Sequence, residues 1–236
     1  MKLNNVYRVG EGQAGNISID NGKIVDDDAP GTMQLVFDNA IAFPGLINSH
    51  EHLDCNLFPQ LGKRIYKDYV AWGEDIHRQN RPVIVKVLRV PQQLRIHWGI
   101  YSNLLNGITT VVHHGAPLAV KESCITLFQQ CYSLHSVRLE KRWRLRLNRP
   151  FRKELPFVIH TGEGTSRAAH REINTLIRRN MWDRKLIGIH TVAMDEKQAA
   201  AFRALVWCPL SNYFLLGETA PVHRLKRCND ILFGTD

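Results

Sequence analysis

The pattern of apolar and polar positions changes after residue 43. Before that point, residues 16–20 alternate apolar and polar side chains, Asn21-Gly22 is a two-residue hairpin turn, and residues 23–25 resume the alternation. We therefore predict that residues 1–43 form strands of a small composite β domain. Residues 44–236 instead alternate short apolar runs with longer amphipathic stretches, which predicts parallel βαβ units.

The longer stretches predict helices between the strands. From Pro91 onward, apolar residues recur at three to four positions (Leu94, Trp98, Tyr101 and Leu105), and Gly107 follows where a helix is expected to end. Residues 120–131 and 167–179 are predicted as helices, and Asp195 can cap a further helix over about 196–204. The polar stretch from His52 to about Arg81 is too long for a simple connection and suits a helical excursion or a lid over a site. Residues 108–114, which end in two histidines, and residues 132–137 are predicted as strands.

Four apolar runs end in side chains that bind metals. The first ends at His50 and His52, which lie on one face of a strand because their positions differ by two. The others end at His160, His190 and Asp236. Core packing does not explain this repetition. Active sites of (β/α)₈ barrels are built at the carboxyl ends of their strands, where the loops converge.

Composition narrows the class of protein. Of the 236 residues, 44% are hydrophobic and 22% are charged, as in soluble globular proteins. The sequence contains no apolar run long enough to span a membrane, and its first residues lack the apolar core of a signal peptide. The five cysteines are odd in number and scattered, which favours reduced thiols and a cytoplasmic location.

The formal net charge of +9 is concentrated in residues 138–153, where eight basic residues stand against Glu140 alone. A solvated face, a contact with another subunit and a contact with an anionic substrate all remain open, so a homo-oligomer is also open. Nucleic acid is disfavoured as a partner, because only Trp143 interleaves the charges and no nucleic-acid module is visible.

Together these motifs resemble the amidohydrolase superfamily, in the metal-dependent branch that contains cytosine deaminase, guanine deaminase and the triazine hydrolases. The matching segments are PGLINSHEHLD (44–54), NGITTVVHHG (106–115), HTGEG (160–164), IGIH (187–190), WCPLSN (207–212) and FGTD (233–236). The resemblance implies an α/β fold with a (β/α)₈ TIM-type barrel over residues 44–236. It also implies a metal-dependent hydrolase that acts on a non-peptide carbon–nitrogen bond of a small molecule, with hydrolytic deamination as the leading reaction.

The resemblance assigns roles residue by residue. His50, His52, His160 and Asp236 match ligands of one divalent metal, Zn or Fe(II), which would lower the pKa of a bound water. Asp236 matches a ligand that also acts as base, Glu163 matches a proton shuttle, and His190 matches a water-orienting group. No lysine ends an apolar run where a dinuclear site would need one, so we predict a mononuclear site.

Other histidines near strand ends keep two interpretations. His113, His114 and His135 are either satisfied barrel or interface histidines or contacts to substrate.

Two features depart from the family pattern. Few residues separate the strand that ends near 114 from the one that starts near 157, so we expect a barrel shortened around its fourth strand. The sequence also stops at Asp236, so we expect the barrel to be incomplete at its C-terminus. A non-catalytic truncated barrel that serves as a scaffold or assembly partner is the main alternative, and anion or nucleic-acid binding through residues 138–153 is a third.

Overall fold

The structure, a computed structural model, describes residues 1–10, 12–26, 32–150, 152 and 154–236. Part of the predicted loop before Met33 and Lys153 of the basic segment lie outside these residues. The chain divides into two compact units, Met1–Gly45 and Leu46–Asp236.

The first unit is a sheet of four strands in its described part. They are β1 (Lys2–Arg8), β2 (Ala14–Asp20), β3 (Lys23–Val25) and β4 (Gln34–Ala42), in the spatial order β3-β2-β1-β4. The predicted hairpin joins β2 and β3, which pair antiparallel. Asn21 and Gly22 both have positive φ, at 47° and 74°, as this turn requires.

The second unit alternates strands with helices. Its strands are β5 (Leu46–Glu51), β6 (Ile108–His113), β7 (Thr126–Phe128), β8 (Tyr132–Ser136), β9 (Phe157–Thr161), β10 (Leu186–His190), β11 (Ala204–Trp207) and β12 (Ile231–Phe233). Its helices are α1 (Tyr69–Gln79), α2 (Arg81–Leu88), α3 (Gln92–Leu105), α4 (Trp143–Leu147), α5 (Arg167–Arg179), α6 (Glu196–Ala199), α7 (Pro209–Leu216) and α8 (Val222–Leu225).

These strands form two parallel sheets whose order follows the chain. One sheet has the order β5-β6-β7, and the other runs from β8 to β12. Just after β12, the backbone N–H groups of Thr235 and Asp236 each donate to the carbonyl oxygen of His50 at 3.2 Å. The carboxyl ends of β5 and β12 are therefore adjacent, and all the predicted ligand strands end on one edge.

Helix packing fixes the strands that carry these ends. Helix α5 begins at Ser166, whose hydroxyl accepts a hydrogen bond from the Ala169 N–H at 3.3 Å. Its residues Ile173 and Leu176 are fully buried in the core that includes Ile159 of β9. The sequence predicted the bounds of α5 correctly, because its apolar stripe is uninterrupted.

Two predicted elements differ from the structure. Residues 120–131 are not a helix: within them the described chain holds only the short strand β7, and just residues 129–131 join it to β8. The fourth strand of the unit, β8, is therefore present, and the short interval reflects a missing crossover helix instead. The helix predicted over 196–204 ends at Ala199.

Helix α3 forms as predicted, but its regular apolar stripe faces outward. Leu94, Trp98, Tyr101 and Leu105 are all more than half exposed. The helix packs instead through a second face with Ile96, Gly99 and Ile100. Gly99 allows this contact, because a Cβ at this position would meet the carbonyl oxygen of Leu53 and lie 3.0 Å from its carbonyl carbon.

We expect Gly99→Ala to destabilise the protein by about 1–3 kcal/mol, since helix and backbone must separate to admit the methyl group. Gly73 of α1 is the matched control, because a Cβ there meets nothing within 4 Å. Gly73→Ala should stabilise the protein by about 0.5–1 kcal/mol through helix propensity. Urea unfolding of both variants measures the difference, and equal shifts would contradict the close approach of α3 to Leu53.

Candidate metal centre

Four side chains from different strand ends converge on one point of the second unit. His50 ends β5, His160 lies in β9, His190 ends β10, and Asp236 follows β12. Each offers one nitrogen or carboxylate oxygen, and these four atoms all lie within 4.8 Å of one another. His50 Nε2 lies 2.8 Å from Asp236 Oδ1 and 3.0 Å from His160 Nε2.

The spacing of these atoms fits a shared cation. Donors bound to zinc at about 2.0–2.1 Å in a tetrahedral arrangement lie roughly 3.3 Å from one another. The observed separations between His50, His160 and Asp236 are 2.8, 3.0 and 4.0 Å. Three imidazoles and a carboxylate are also the donor types that zinc and iron(II) accept.

The protonation states suit the same role. Burial lowers the pKa of His50 to about 4 and the pKa of His160 well below its usual value. Both imidazoles are therefore neutral at pH 7, which is the form that binds metals. Burial by itself would raise the pKa of Asp236, but the imidazoles of His190 and His50 hold this pKa well below its usual range. Asp236 is therefore a carboxylate.

His52 and His190 occupy different positions relative to this group. His52 Nε2 lies 3.6 Å from Asp236 Oδ1, on the more exposed side of the site. The group of four mutually close donors thus includes His190 and omits His52. Distance alone does not make His190 the better ligand, because its hydrogen bonds restrict its tautomer.

A chain of hydrogen bonds orients His190. The indole N–H of Trp207 donates to the hydroxyl of Thr219 at 2.6 Å, and this hydroxyl donates to Asn212 Oδ1 at 3.4 Å. That places the amide nitrogen of Asn212 2.9 Å from His190 Nδ1. The amide donates there, so Nδ1 is the acceptor and the proton of the neutral ring is on Nε2.

His190 Nε2 therefore points a donor into the site. It lies 3.6 Å from Glu163 Oε2 and 3.7 Å from Asp236 Oδ2. By contrast, the Nδ1 atoms of His50 and His160 have no hydrogen-bond partner within the described residues. His50 Nε2 lies 2.8 Å from the Asp236 carboxylate and 3.0 Å from His160 Nε2, so these atoms face a shared centre where a bound cation would take the place of the proton between His50 and Asp236.

Glu163 reaches the site from the loop after β9. Gly162 allows this turn, with φ of 64°, and a Cβ on it would lie 2.7 Å from the Ile173 side chain. The Glu163 carbonyl oxygen accepts a hydrogen bond from the Tyr69 N–H at 3.4 Å, at the start of α1. Burial, together with the charge of Asp236, raises the pKa of the Glu163 carboxyl well above its usual value. It can therefore carry a proton near neutral pH.

A buried polar network beneath the ligands was not predicted. Glu51, between His50 and His52, accepts hydrogen bonds from Thr235 Oγ1 at 2.6 Å and from Asn56 Nδ2 at 2.9 Å. Asn48 donates to Thr235 Oγ1 at 2.6 Å. The sequence did contain a signal for this network. In a strand, Glu51 points to the face opposite the two histidines, and a carboxylate buried on that face needs hydrogen-bond partners.

Ser211 was also missed as a contributor to the site. Its hydroxyl donates to Asp236 Oδ2 at 2.6 Å. This bond fixes one carboxylate oxygen while the other, Oδ1, faces His50. The segment WCPLSN therefore supplies both the amide that orients His190 and the hydroxyl that orients Asp236.

A cavity of about 730 Å³ beside the ligands is lined by the three histidines whose roles the sequence did not decide. His113 and His114 are buried, and His135 lies at the carboxyl end of β8. The His114 ring lies 4.5 Å from the His160 ring, centroid to centroid. Neither nitrogen of His114 has a hydrogen-bond partner in the described chain. A contact with substrate and a packing role therefore both remain open for these residues.

Part of the basic segment is used inside the protein. Arg138 donates to Asp68 at 2.7 Å, and Asp68 caps α1 by accepting from the Ala71 N–H. Arg146 donates to Glu140 at 2.9 Å and to the carbonyl oxygen of Ser133 at 2.8 Å. Two of the eight basic side chains of this segment therefore bind within the protein and need no anionic partner outside it.

The comparisons with known proteins define the fold. The chain is similar to guanine deaminase from C. acetobutylicum, solved with bound guanine, with a TM-score of 0.68 at 15% identity over 100% of this chain and 74% of that one. It is also similar to 5-methylcytosine deaminase from Klebsiella pneumoniae (TM-score 0.61, 17% identity, 100% and 75% covered). A third is N-isopropylammelide isopropylaminohydrolase from Burkholderia multivorans ATCC 17616 (TM-score 0.57, 15% identity, 100% and 74% covered).

No family model and no curated protein matches the chain. The similarity to these solved structures confirms the predicted resemblance and an α/β fold with parallel sheets, and the activity has to be argued from the site. No helix of the described residues is long and apolar enough to cross a membrane.

Proposed function

We propose that the protein is a metal-dependent hydrolase of a non-peptide carbon–nitrogen bond in a small molecule, most simply a hydrolytic deaminase. The observation that carries this proposal is the convergence of His50, His160 and Asp236 from three strand ends, with Glu163 beside them. The deaminases and aminohydrolase of the same fold support the reaction class.

We infer further that the two parallel sheets are arcs of one (β/α)₈ barrel. Eight parallel strands follow one another in the described second unit, and the bonds from Thr235 and Asp236 to the His50 carbonyl join its first and last strands. The site then lies at the carboxyl-terminal mouth, as in other barrels. A cavity of about 650 Å³ opens over Glu163 and Asp236, which suits a small-molecule substrate.

The proposed ligands are His50, His52, His160 and Asp236, holding one zinc or iron(II). Bound there, the ion would lower the pKa of water towards neutrality and supply hydroxide at pH 7. His50 and His160 are buried and neutral, as ligation requires. His52 shares a strand face with His50 and lies on the open side of the group.

The other groups handle protons. Asp236, held by Ser211, accepts a proton from the attacking water through its carboxylate. Glu163 keeps a proton at neutral pH because of its burial, and delivers it to the departing nitrogen. His190, with its proton on Nε2, donates a hydrogen bond to the oxygen that attacks the carbon.

The test is metal content by plasma mass spectrometry, combined with a screen for ammonia or amine release from aminopyrimidines, aminopurines and aminotriazines. We expect about one zinc or iron per chain in the parent and almost none in Asp236→Ala, since this substitution removes a carboxylate ligand. Asp230→Ala is the matched control, because Asp230 is 77% exposed and pairs only loosely with Arg203 at 3.6 Å. A parent chain without metal, or an unchanged Asp236→Ala, would overturn the proposed site.

A further inference from the structure

The segment that carries Asp236 is held against β5 without a strand ladder. In the described chain β5 and β12 belong to different sheets, so no regular backbone pairing joins the first ligand strand to the last. The backbone hydrogen bonds that cross between them run from the Thr235 and Asp236 N–H groups to the His50 carbonyl oxygen, each at 3.2 Å. Two long bonds to one acceptor fix this segment only weakly, so other contacts are needed to hold it.

Asn48 supplies the main additional contact. It is 3% exposed, and its Oδ1 accepts hydrogen bonds from the Thr235 N–H at 3.1 Å and from the His50 N–H at 3.3 Å. One amide oxygen therefore binds the backbone of two segments at once. The first segment contains the proposed ligand His50, and the second contains the residue before the proposed ligand Asp236.

The Thr235 hydroxyl completes this contact. It accepts a hydrogen bond from Asn48 Nδ2 at 2.6 Å and donates one to Glu51 Oε2 at 2.6 Å. A hydroxyl can accept and donate at the same time, which an ionised carboxylate or an amide nitrogen cannot do. Asn48, Glu51 and Thr235 are called the clasp below. None of the three belongs to the group of four close donors that face the proposed ion.

The clasp is anchored on two sides. On one side, Asn103 of α3 accepts from Asn48 Nδ2 at 2.9 Å, and its own Nδ2 donates to the Gly99 carbonyl oxygen at 2.9 Å. The bond to Gly99 orients the amide of Asn103, which in turn orients the amide of Asn48. On the other side, Glu51 Oε1 accepts from the His52 N–H at 2.9 Å. The backbone of a third proposed ligand is thereby tied to the clasp.

The chain before Thr235 lies close to β5. A Cβ on Gly234 would lie 2.9 Å from the His50 Cβ and 3.0 Å from Cys208 Sγ, so only glycine fits there without a shift of its neighbours. Asp236 then has φ of 74°, a left-handed conformation that is uncommon outside glycine. A backbone angle of this kind persists only where the surrounding structure fixes it.

We propose that the clasp positions Asp236 for metal binding, with Asn48 and Thr235 as positioning residues. This inference rests on the proposed function and assigns the residues that hold its ligand set in place. Because the clasp uses no donor of the ion, it keeps Asp236 beside His50 whether or not the ion is bound. The ligand geometry is thus preorganised, and metal binding does not have to order the segment.

The first experiment measures the Kd for zinc by competition with a chromophoric chelator. Thr235→Val removes the hydroxyl with little change of shape, whereas Thr235→Ser keeps it. We expect the Kd to rise about 10–100-fold in Thr235→Val, as is usual when an outer-shell partner is removed, and to stay within about threefold of the parent in Thr235→Ser. An unchanged Kd in Thr235→Val would overturn the inference.

Cobalt(II) in place of zinc adds a spectroscopic readout, since its visible absorption depends on coordination geometry. We expect the spectrum of Thr235→Val to differ from that of the parent and the spectrum of Thr235→Ser to match it. Ile177→Ala is the control for a general loss of stability, because Ile177 packs on the core from α5 and lines none of the cavities beside the site. An equal change of zinc affinity and cobalt spectrum in Ile177→Ala would contradict a positioning role.

The second experiment does not depend on metal. Hydrogen exchange of residues 231–236 is measured after chelator treatment in the parent and in both Thr235 variants. Because the Thr235 N–H donates to Asn48, we expect slow exchange in the parent and in Thr235→Ser, and exchange at least about tenfold faster in Thr235→Val.

The two experiments separate this inference from the proposed function. Fast exchange of residues 231–236 in a parent protein that binds metal would refute the clasp and leave the proposed function standing. A parent protein that binds no metal but protects this segment, with protection lost in Thr235→Val, would refute the proposed function and leave the clasp standing as the group that holds Asp236 beside His50.

Discussion

Replacing Glu163 by glutamine is expected to lower kcat by about 10²–10⁴-fold while metal content stays at one ion per chain. Glutamine keeps the shape of the side chain but cannot release a proton to the departing nitrogen. Metal binding should persist, because Glu163 is not among the four mutually close donor atoms. Burial raises the pKa of the native carboxyl, so the neutral amide also resembles the protonated native group in charge.

Steady-state kinetics and metal analysis of the same Glu163→Gln preparation check this expectation. Glu218→Gln provides the control, since Glu218 is exposed and lies outside the cavities described above. A Glu163→Gln protein that kept full activity would remove the proton shuttle from the proposed mechanism. A protein that lost its metal would instead make Glu163 part of the ligand set.

The positions of the ligand-bearing strands were predictable because each signal is local. An apolar run fixes a strand, and the polar residue that ends it fixes a position at the carboxyl edge of a parallel sheet. This logic located β5, β9, β10 and β12 from the sequence. The order of parallel strands follows from right-handed crossovers and short connections, so adjacency of the strand ends followed as well.

Predictions failed where a local pattern lacked its tertiary partner. Residues 120–131 have helical spacing, but the short connection to β8 leaves no room for a crossover helix, and a three-residue strand forms instead. Helix α3 has a regular apolar stripe, yet the fold buries the face that contains Gly99, since only a residue without a side chain can approach Leu53 so closely. Periodicity marks a helix but does not establish which face is buried.

The residues that orient the side chains of the site were not predicted from the sequence, for a related reason. Asn212, Ser211 and Glu51 act through contacts with residues distant along the chain, and no spacing rule pairs them. Asn212 is the informative case. Its role depends on Thr219 fixing the amide orientation, which in turn fixes the tautomer of His190. A sequence alone contains the residues of this relay but not their arrangement.

A second expected result distinguishes His52, a proposed ligand, from His190, which the hydrogen bonds from Asn212 and Thr219 orient as a donor. His52→Ala should weaken metal binding by at least about 100-fold, more than an outer-shell change does, because it removes a ligand. His190→Ala should keep about one metal ion per chain but lose about 10²–10³ in kcat, because it removes a hydrogen-bond donor from the reacting oxygen. Metal titration and kinetics on both variants provide the comparison.

Asn212→Ala extends this comparison without touching either histidine. It removes the amide that donates to His190 Nδ1 at 2.9 Å, so the ring can adopt the other tautomer and turn an unprotonated Nε2 towards the site. We expect Asn212→Ala to lower kcat, by a smaller factor than His190→Ala does, and to leave the metal affinity unchanged. If His190→Ala instead lost the metal while His52→Ala retained it, the close group of four donors would itself be the ligand set, and His52 would belong to the substrate side of the site.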